Sequence, residues 1–239
     1  MIEDAGILIV IVLVASLLQS STGFGFSIIG TPFLLLIYPV HTAVQINIIL
    51  SIVLSAVMIV RIRREIEGGL LIRLIKGSVP GLVLGILVYL FMDIRLLKMS
   101  VGALILILTA LLIFRLTLER TKQKDLIAGG VSGLLTTSIG VPGPPLLLYF
   151  SGSGIDKTTL RSTTLAYYLF VYSASLMMQL TFGGTAKEAW ISSLCALPSL
   201  FAGVWMGQVL FKWISQRTFQ VITYVILICT GVYLIVTSR

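Results

Sequence analysis

Long apolar runs separated by short polar segments dominate this 239-residue chain. Several runs reach the roughly 17–25 residues that a helix needs to cross the hydrocarbon core of a bilayer. The runs are continuous and do not alternate with a period of two, so they predict an all-α polytopic membrane protein rather than a transmembrane β-barrel. Six ordinary spans are predicted, at residues 44–60, 77–92, 96–114, 163–182, 189–211 and 219–236.

Two further apolar segments are interrupted by small polar residues, glycine and proline. In the first, residues 7–19 make only about 20 Å of helix before the sequence Ser20-Ser21-Thr22-Gly23. The second contains Pro142-Gly143-Pro144-Pro145. Glycine and proline free backbone polar groups, which at membrane depth are tolerated only inside protein or beside water. Each segment is therefore predicted to be either a re-entrant hairpin or a discontinuous single span.

The distribution of basic residues favours hairpins. Eight crossings would place 11 of the 17 Lys and Arg residues on the side of residues 61–76, and 6 on the other side. Six crossings place them 13 against 4, which fits the positive-inside rule better. Six crossings also give each half of the chain three spans, so the halves would be inverted repeats, a recurring transporter design. Eight plain spans are the alternative.

Internal repetition divides the chain into two similar units. Residues 21–36 resemble residues 136–149, with Pro32 at an offset of 113 from Pro145. Further matches follow in the same order, with Pro80 at an offset of 118 from Pro198 and later offsets reaching 122. An ordered series with a slowly drifting offset is typical of duplication with loop insertions. Residues 1–120 and 121–239 are the predicted first and second transmembrane repeats, divided in the charged linker 119–125.

Composition and charge agree with a membrane protein and argue against a nucleic-acid partner. Hydrophobic residues make up 57% of the chain, charged residues only 11%, and the mean hydropathy is +1.08. The net charge of +8 lies in short clusters between apolar runs, as in cytoplasmic loops, without zinc-ligand or aromatic RNA-binding motifs. The lipid bilayer is therefore the predicted partner. Cys195 and Cys229 lie in apolar runs and are predicted to pack as small hydrophobes.

The two interrupted segments are predicted to face each other and to bind a small anion. Helix N-termini offer free N–H groups and partial positive charge, and hydroxyls add donors that rotate to suit an oxyanion. The alternative is that small residues only permit close helix packing. The candidates are Ser21, Thr22, Gly23, Gly25, Ser27 and Thr31 in the first segment, and Thr136, Thr137, Ser138, Gly140 and Gly143 in the second.

A second polar cluster begins the span that follows each interrupted segment. Its members are Gln45, Asn47, Arg161, Ser162, Thr163 and Thr164. The guanidinium of Arg161 suits a carboxylate or sulfonate, or it reaches the lipid headgroups as a snorkelling side chain; both interpretations are open. A further pair of glutamines, 179 and 208, either lines a path for the substrate or forms hydrogen bonds between helices, and the second is predicted.

The positions of the titratable residues favour an anion over a cation and argue against an enzyme. All nine acidic residues lie in or near loops, whereas proton relays and many cation sites use buried carboxylates. Proton coupling has no obvious carrier, and Na⁺ bound by backbone carbonyls stays open. With His41 as the only histidine, neither a metalloprotease site nor an Asp-relayed serine triad can be assembled. No metal or cofactor is predicted, and an intramembrane protease built on Ser151-Gly-Ser-Gly154 is the weak enzyme alternative.

The duplicated pattern resembles the TauE/SafE sulfite exporter family, also described as sulfonate uptake permeases. The matching motifs are Gly23-Phe-Gly-Phe-Ser-Ile-Ile-Gly-Thr-Pro32 and Gly133-Leu-Leu-Thr-Thr-Ser-Ile-Gly-Val-Pro-Gly-Pro-Pro145, and the resemblance covers essentially the whole chain. The second motif carries three prolines where the family is often richer in glycine, which would alter the shape of the pocket.

The resemblance implies a secondary transporter of sulfite, an organosulfonate or a related sulfur oxyanion, in the cytoplasmic membrane of a prokaryote. An anion channel and a carrier of small carboxylates are the alternatives. The direction of transport, a coupling ion such as H⁺ or Na⁺, and assembly into a homo-oligomer stay open.

Overall fold

A computed structural model describes residues 2–113, 120–150 and 155–210, with short pieces at 224–225, 228–229, 231–233 and 235–236. This described part is helical and contains no strand. Four helices, α3, α4, α8 and α9, are long and apolar enough to cross a membrane. The helices are α1 Ile2–Thr22, α2 Phe26–Ile37, α3 Val40–Ile62, α4 Gly68–Phe91, α5 Ile94–Ile113, α6 Lys122–Ile139, α7 Gly143–Phe150, α8 Lys157–Phe182 and α9 Lys187–Leu210.

Helix α1 is longer than the predicted helix over residues 7–19, so the prediction of a short first helix is wrong. It has 21 residues, or about 30 Å at about 1.5 Å per residue. The serines do not break it, because the hydroxyls of Ser16, Ser20 and Ser21 donate to the carbonyls three residues before them. The interruption comes instead at Gly23 and Gly25, whose φ angles of 84° and 125° are strained for any residue with a side chain.

The second interruption has the same form. Helix α6 ends with Gly140 in the left-handed conformation, with φ 74°, and its N–H returns to the carbonyl of Thr136. Helix α7 begins at Gly143, which places Pro144 and Pro145 in its first turn. There a missing N–H costs little, since the first N–H groups of a helix have no intrahelical acceptor. The prolines therefore start a helix after the break rather than disrupt one.

The two interruptions lie 117 residues apart, at Gly23 and Gly140. The same distance separates the starts of α2 and α7, and the starts of α3 and α8. The predicted match of Pro32 with Pro145, at an offset of 113, therefore does not pair equivalent positions: Pro32 lies in the middle of α2, and Pro145 lies in the first turn of α7.

Close backbone contacts at glycines fix the direction of two helix pairs. Along α4, Gly77, Gly81 and Gly85 lie against successively later residues of α6, so these helices run parallel. Along α9, Gly203 and Gly207 lie in the same way against α1, which also runs parallel. At Gly81 and Gly207 an added Cβ would overlap a backbone carbonyl of the neighbouring helix. Such contacts are typical of membrane helices whose backbones approach closely through small residues.

Helices α3 and α8 run in opposite directions. Gln45, near the start of α3, bonds Gly184 just beyond the end of α8. Ser162, near the start of α8, bonds the carbonyl of Glu65 just beyond the end of α3. Because α9 returns from α8 after a short loop, α9 and therefore α1 run in the same direction as α3. Helix α2 must then carry the chain back between α1 and α3, and by the same reasoning α7 carries it back between α6 and α8.

The hydrophobic interior consists of two cores, and each combines both halves of the chain. One core is built largely from α1, α3 and α9, with residues such as Val12, Leu54 and Leu200. The other is built largely from α4, α6 and α8, with residues such as Leu74 and Tyr167. The two halves of the chain therefore exchange a helix, α9 for α4. Both cysteines are exposed on the outside of this bundle, so their predicted burial is wrong.

Candidate functional site

Two side chains bring the interruptions together. Asn47, from α3, donates from Nδ2 to the carbonyl of Gly140 at 2.8 Å. Its Oδ1 lies on the other side against Gly30 of α2, at 3.1 Å from the position of an added Cβ. Tyr168, from α8, packs its ring edge-on against Phe24 with 6.1 Å between centroids, while its hydroxyl faces Gly143. The predicted juxtaposition of the two segments is thus present in the fold.

Arg161 lies over the first interruption. The stem of its side chain covers Gly23, where an added Cβ would come within 3.0 Å of Cγ, and Nη2 donates to the carbonyl of Ser20. The residue is only 9% exposed. A snorkelling arginine would extend towards the headgroups, whereas this one caps the last turn of α1 and stabilises the free carbonyls at the break.

Several predicted donors are already engaged within their own helices. The hydroxyls of Ser21, Thr136 and Ser138 donate to carbonyls three or four residues before them. Since a hydroxyl has one hydrogen, these three can only accept from a ligand. Thr137 shares a 2.9 Å hydrogen bond with Ser175 of α8. The side chain of Thr22 lies outside the described part of the molecule.

The amide groups at the short helices also contribute less than predicted. The first N–H of α2, at Phe26, donates to Oε1 of Gln19 at 2.9 Å. The first turn of α7 contains Pro144 and Pro145, which have no N–H. Helix N-termini are therefore a minor source of donors between the two interruptions.

A different set of polar atoms is buried there without a hydrogen-bond partner. Leaving such an atom unpaired costs roughly 1–3 kcal/mol, and clusters of them mark places where water or a ligand is bound. The described residues that carry such atoms on α2, α3 and the first half of α8 are Thr31, Asn47, Ser51, Ser55, Thr164, Tyr168 and Tyr172.

Tyr168 and Tyr172, like Ser51 and Ser55, are members of this set that the sequence did not single out. The hydroxyl of Tyr172 approaches those of Ser27 and Ser51 without hydrogen-bond geometry, and its ring lies 5.6 Å from that of Tyr168. Asn47, Ser51 and Ser55 follow one face of α3 at a spacing of four residues. A spacing of four also relates Thr164, Tyr168 and Tyr172 on α8, which was a readable signal of a buried polar face.

Gln45 and Thr163 do not belong to this cluster, although the sequence grouped them with it. Gln45 bonds the loop after α8, donating to the carbonyl of Gly184 at 2.8 Å and accepting from Thr185 at 3.0 Å. Thr163 accepts the backbone N–H of Glu67, in the loop after α3, at 2.9 Å. The two residues therefore join helix starts to loops at opposite ends of the bundle. The predicted interhelical bonds of Gln179 and Gln208 are confirmed, to Thr137 and Met58.

One end of the bundle contains a cavity of about 630 Å³. We call this end the cavity face; α3 begins there, and α4 and α8 end there. The imidazole of His41 lies on the ring of Tyr89 with 4.5 Å between centroids and bonds its carbonyl at 3.2 Å. Polar groups of Thr42, Gln45 and the loop 183–186 complete the lining.

The opposite end is tied together by ion pairs. We call it the basic face; α4, α6 and α8 begin there. Asp125 accepts from Arg73 at 2.5 Å and from Tyr149 at 2.6 Å. Arg120 holds Glu67 with two hydrogen bonds of 2.5 and 3.1 Å. These bonds to Glu67 raise the pKa of Arg120 above its ordinary value, so its charge is permanent.

The burial of Asp125 is a feature that the sequence does not indicate. The residue lies near a loop, as predicted, in the first turn of α6, but it is only 1% exposed. Packing of α4 and α7 over the start of α6 buries it. Two arginines and Tyr149 surround the carboxylate, which therefore ties the start of α6 to α4 and α7.

No cluster of His, Cys, Asp or Glu with metal-binding geometry occurs among the described residues. The family model described as "Sulfite exporter TauE/SafE" matches residues 8–234. No curated protein and no solved structure matches the chain.

Proposed function

From the premise that the chain belongs to the TauE/SafE sulfite exporter family, a family of multi-pass membrane transporters, we propose that it is a secondary carrier of a small sulfur oxyanion. Sulfite, an organosulfonate or a related anion binds between the two interruptions, beside Gly23 and Gly140. The family match supports the chemistry of the substrate, and the geometry of the buried donors supports the location of the site.

The observation that carries the location is the unpaired hydroxyl group of Thr31, with those of Ser51, Thr164, Tyr168 and Tyr172. Five hydroxyls that find no partner within the described structure can each turn a hydrogen towards a bound oxyanion. Hydrogen bonds to a charged group contribute about 1.5–3 kcal/mol each. Two or three of them therefore replace much of the hydration that a sulfite ion loses on entering the bilayer.

Helix directions and the positive-inside rule give the orientation of the carrier. Because α1 and α3 run the same way, each interrupted segment acts as a hairpin, and the two repeats are inverted. Arg73, Arg120 and the clusters at residues 61–64 and 122–124 lie at the basic face, which we place in the cytoplasm. The cavity face is then exterior.

The site is closed to water in this conformation, since the residues around both interruptions are buried. Transport therefore requires the packing around the site to open alternately towards each face. The two cores suggest the moving bodies: α1, α3 and α9 as one, and α4, α6 and α8 as the other. Their common boundary includes α3 against α8, where the unpaired hydroxyls lie.

Binding measurements on conservative variants test the site. Replacing an unpaired buried hydroxyl by a group of similar shape removes a donor but no existing bond. Thr31→Val and Tyr172→Phe should therefore leave the stability of the free protein unchanged or slightly higher. Each should weaken sulfite binding about tenfold, measured as the concentration dependence of the ligand-induced rise in Tm under anaerobic conditions.

Thr109→Val is the matched control, because the hydroxyl of Thr109 is equally buried but bonds Ile105. It should lower the Tm slightly and leave sulfite affinity unchanged. Equal affinity for sulfite in Thr31→Val, Tyr172→Phe and the parent would refute the site. Proteoliposomes then test the carrier: saturable sulfite flux with counterflow exchange is expected, whereas flux without exchange would indicate a channel.

A further inference from the structure

One face of α8 is polar across the whole length of the helix. The residues at successive intervals of three or four positions are Arg161, Thr164, Tyr168, Tyr172, Ser175 and Gln179. This is the spacing that places side chains above one another on a helix. From the first to the last the rise is about 27 Å, at about 1.5 Å per residue, which is close to the thickness of the hydrocarbon core.

All six residues of this α8 stripe are buried in protein and do not face lipid. The opposite side of α8 carries exposed apolar residues such as Phe170 and Met177. Helix α8 is therefore amphipathic, with its apolar side turned outwards and its polar side turned inwards, where polar residues of membrane helices either bond to neighbouring helices or line a path.

Interhelical hydrogen bonding alone does not explain the stripe. Polar residues that hold membrane helices together are paired with one another or with backbone groups. Ser175 and the amide nitrogen of Gln179 do form such bonds, to Thr137 and its carbonyl. Four other polar atoms, on Thr164, Tyr168, Tyr172 and Oε1 of Gln179, have no partner within the described structure.

The two ends of the α8 stripe meet the two faces of the bundle. At its start, Arg161 lies one turn inside the basic face. One turn beyond Gln179, the next position in the series is Gly183, which lines the 630 Å³ cavity. The stripe therefore runs from just inside one face to the cavity at the other, past both interruptions.

We infer that the α8 stripe lines the route of the anion through the protein, and that the cavity beside Gly183 is its outer opening. This inference rests on the proposed transport function and extends it from one site to a path. Hydroxyl, amide and guanidinium groups supply donors along the route, and no residue of the stripe is a carboxylate. Such a lining stabilises anions and offers no compensating charge to a cation.

Accessibility of single cysteines to charged thiol reagents tests the route. In a background with Cys195→Ala and Cys229→Ala, the conservative changes Ser175→Cys and Gln179→Cys report on the stripe. Met177→Cys, between them but 68% exposed on the outer side of α8, is the matched control. The probes are an anionic sulfonatoethyl and a cationic trimethylammonium methanethiosulfonate, added to the exterior of proteoliposomes.

Both stripe cysteines should react with the anionic reagent at least tenfold faster than Met177→Cys, and sulfite should slow the reaction. The cationic reagent should react at a rate close to that of the control. If sulfite flux persists but the stripe cysteines react no faster than Met177→Cys, or react preferentially with the cationic reagent, the route is wrong while the carrier stands. If the parent protein shows no saturable anion flux, the proposed function itself fails, whatever the labelling pattern.

Discussion

The two ends of the bundle have equivalent architecture but are closed by different chemistry. At the basic face the loop after α3 accepts from Ser162 and donates to Thr163, near the start of α8. At the cavity face the loop after α8 bonds Gln45, near the start of α3. At the basic face the buried carboxylate of Asp125 and the Arg120–Glu67 pair reinforce these bonds. The described part of the cavity face has no ion pair and holds open space instead.

This difference lies in the charged groups and not in the loops, since each loop is held by side chains at the start of the opposite helix. Ion pairs between partly buried charges add to the hydrogen bonds at one end only. If the chain is the alternating carrier that we propose, these ion pairs should favour closure of the basic face, and substrate binding should shift that balance.

Of the changes that test this difference between the faces, Asp125→Asn should lower the free energy of unfolding most. It leaves Arg73 and Arg120 partly buried without their shared carboxylate, and removing one partner of a buried pair costs about 3–5 kcal/mol. Because Arg73 is 26% exposed, we expect the lower end, about 3 kcal/mol, in denaturant unfolding in detergent. Glu188→Gln, at an exposed site on the other face, should change stability by less than about 0.5 kcal/mol. Equal effects of the two changes would show that the network does not hold the basic face.

Gln45→Leu should have an intermediate effect at the cavity face. It removes neutral hydrogen bonds to Gly184 and Thr185, each contributing about 1 kcal/mol, and a long one of 3.5 Å to the hydroxyl of Tyr89, and water in the cavity replaces part of them. A loss of about 1–2 kcal/mol is expected by the same unfolding measurement. Ser192→Ala removes one hydrogen bond from Tyr38 at this face and should cost less. If Gln45→Leu lowered the free energy of unfolding as much as Asp125→Asn, the two faces would be held equally strongly and the comparison would be wrong.

Glu67→Gln should have the smallest effect on stability and a clear effect on conformation. Glu67 is 35% exposed, so its pair with Arg120 contributes about 1 kcal/mol or less. Its backbone bond to Thr163 is kept. The weaker closure should speed labelling of Thr164→Cys from the basic face about fivefold, since about 1 kcal/mol is close to that factor. An unchanged labelling rate would show that the ion pairs do not control opening.

Much of the fold could be read from the sequence because the bilayer imposes simple rules on it. Apolar length predicted the spans of α3, α4, α8 and α9. The positions at which the helices are interrupted were harder to predict from the sequence. Serine and threonine can either interrupt a helix or bond back to its own carbonyls, and only the surrounding helices decide. Ser20 and Ser21 continue α1 for this reason, although the sequence suggested a break there.

The candidate site was predicted in part, for a related reason. Asn47 does join Gly140 to Gly30 of α2, but Gln45 and Thr163 lie at opposite faces, because α3 and α8 run antiparallel and their first turns are far apart. The tyrosines were missed because aromatic residues in an apolar run indicate packing. Only the structure shows that the hydroxyls of Tyr168 and Tyr172 are buried without partners. The burial of Asp125 could not be predicted from its neighbours in sequence, because it depends on packing against α4 and α7.

The sequence by itself determined that this chain is a bundle of membrane helices with two interrupted segments, since hydrophobic length, glycine and proline positions, and basic loops are local properties. Only the tertiary structure decided which face is closed and which donors are free, because both depend on groups distant in the chain. Whether a hydroxyl binds its own helix, a neighbouring helix or a ligand is settled by the packing around it. In this protein that packing exchanges α4 and α9 between the two halves.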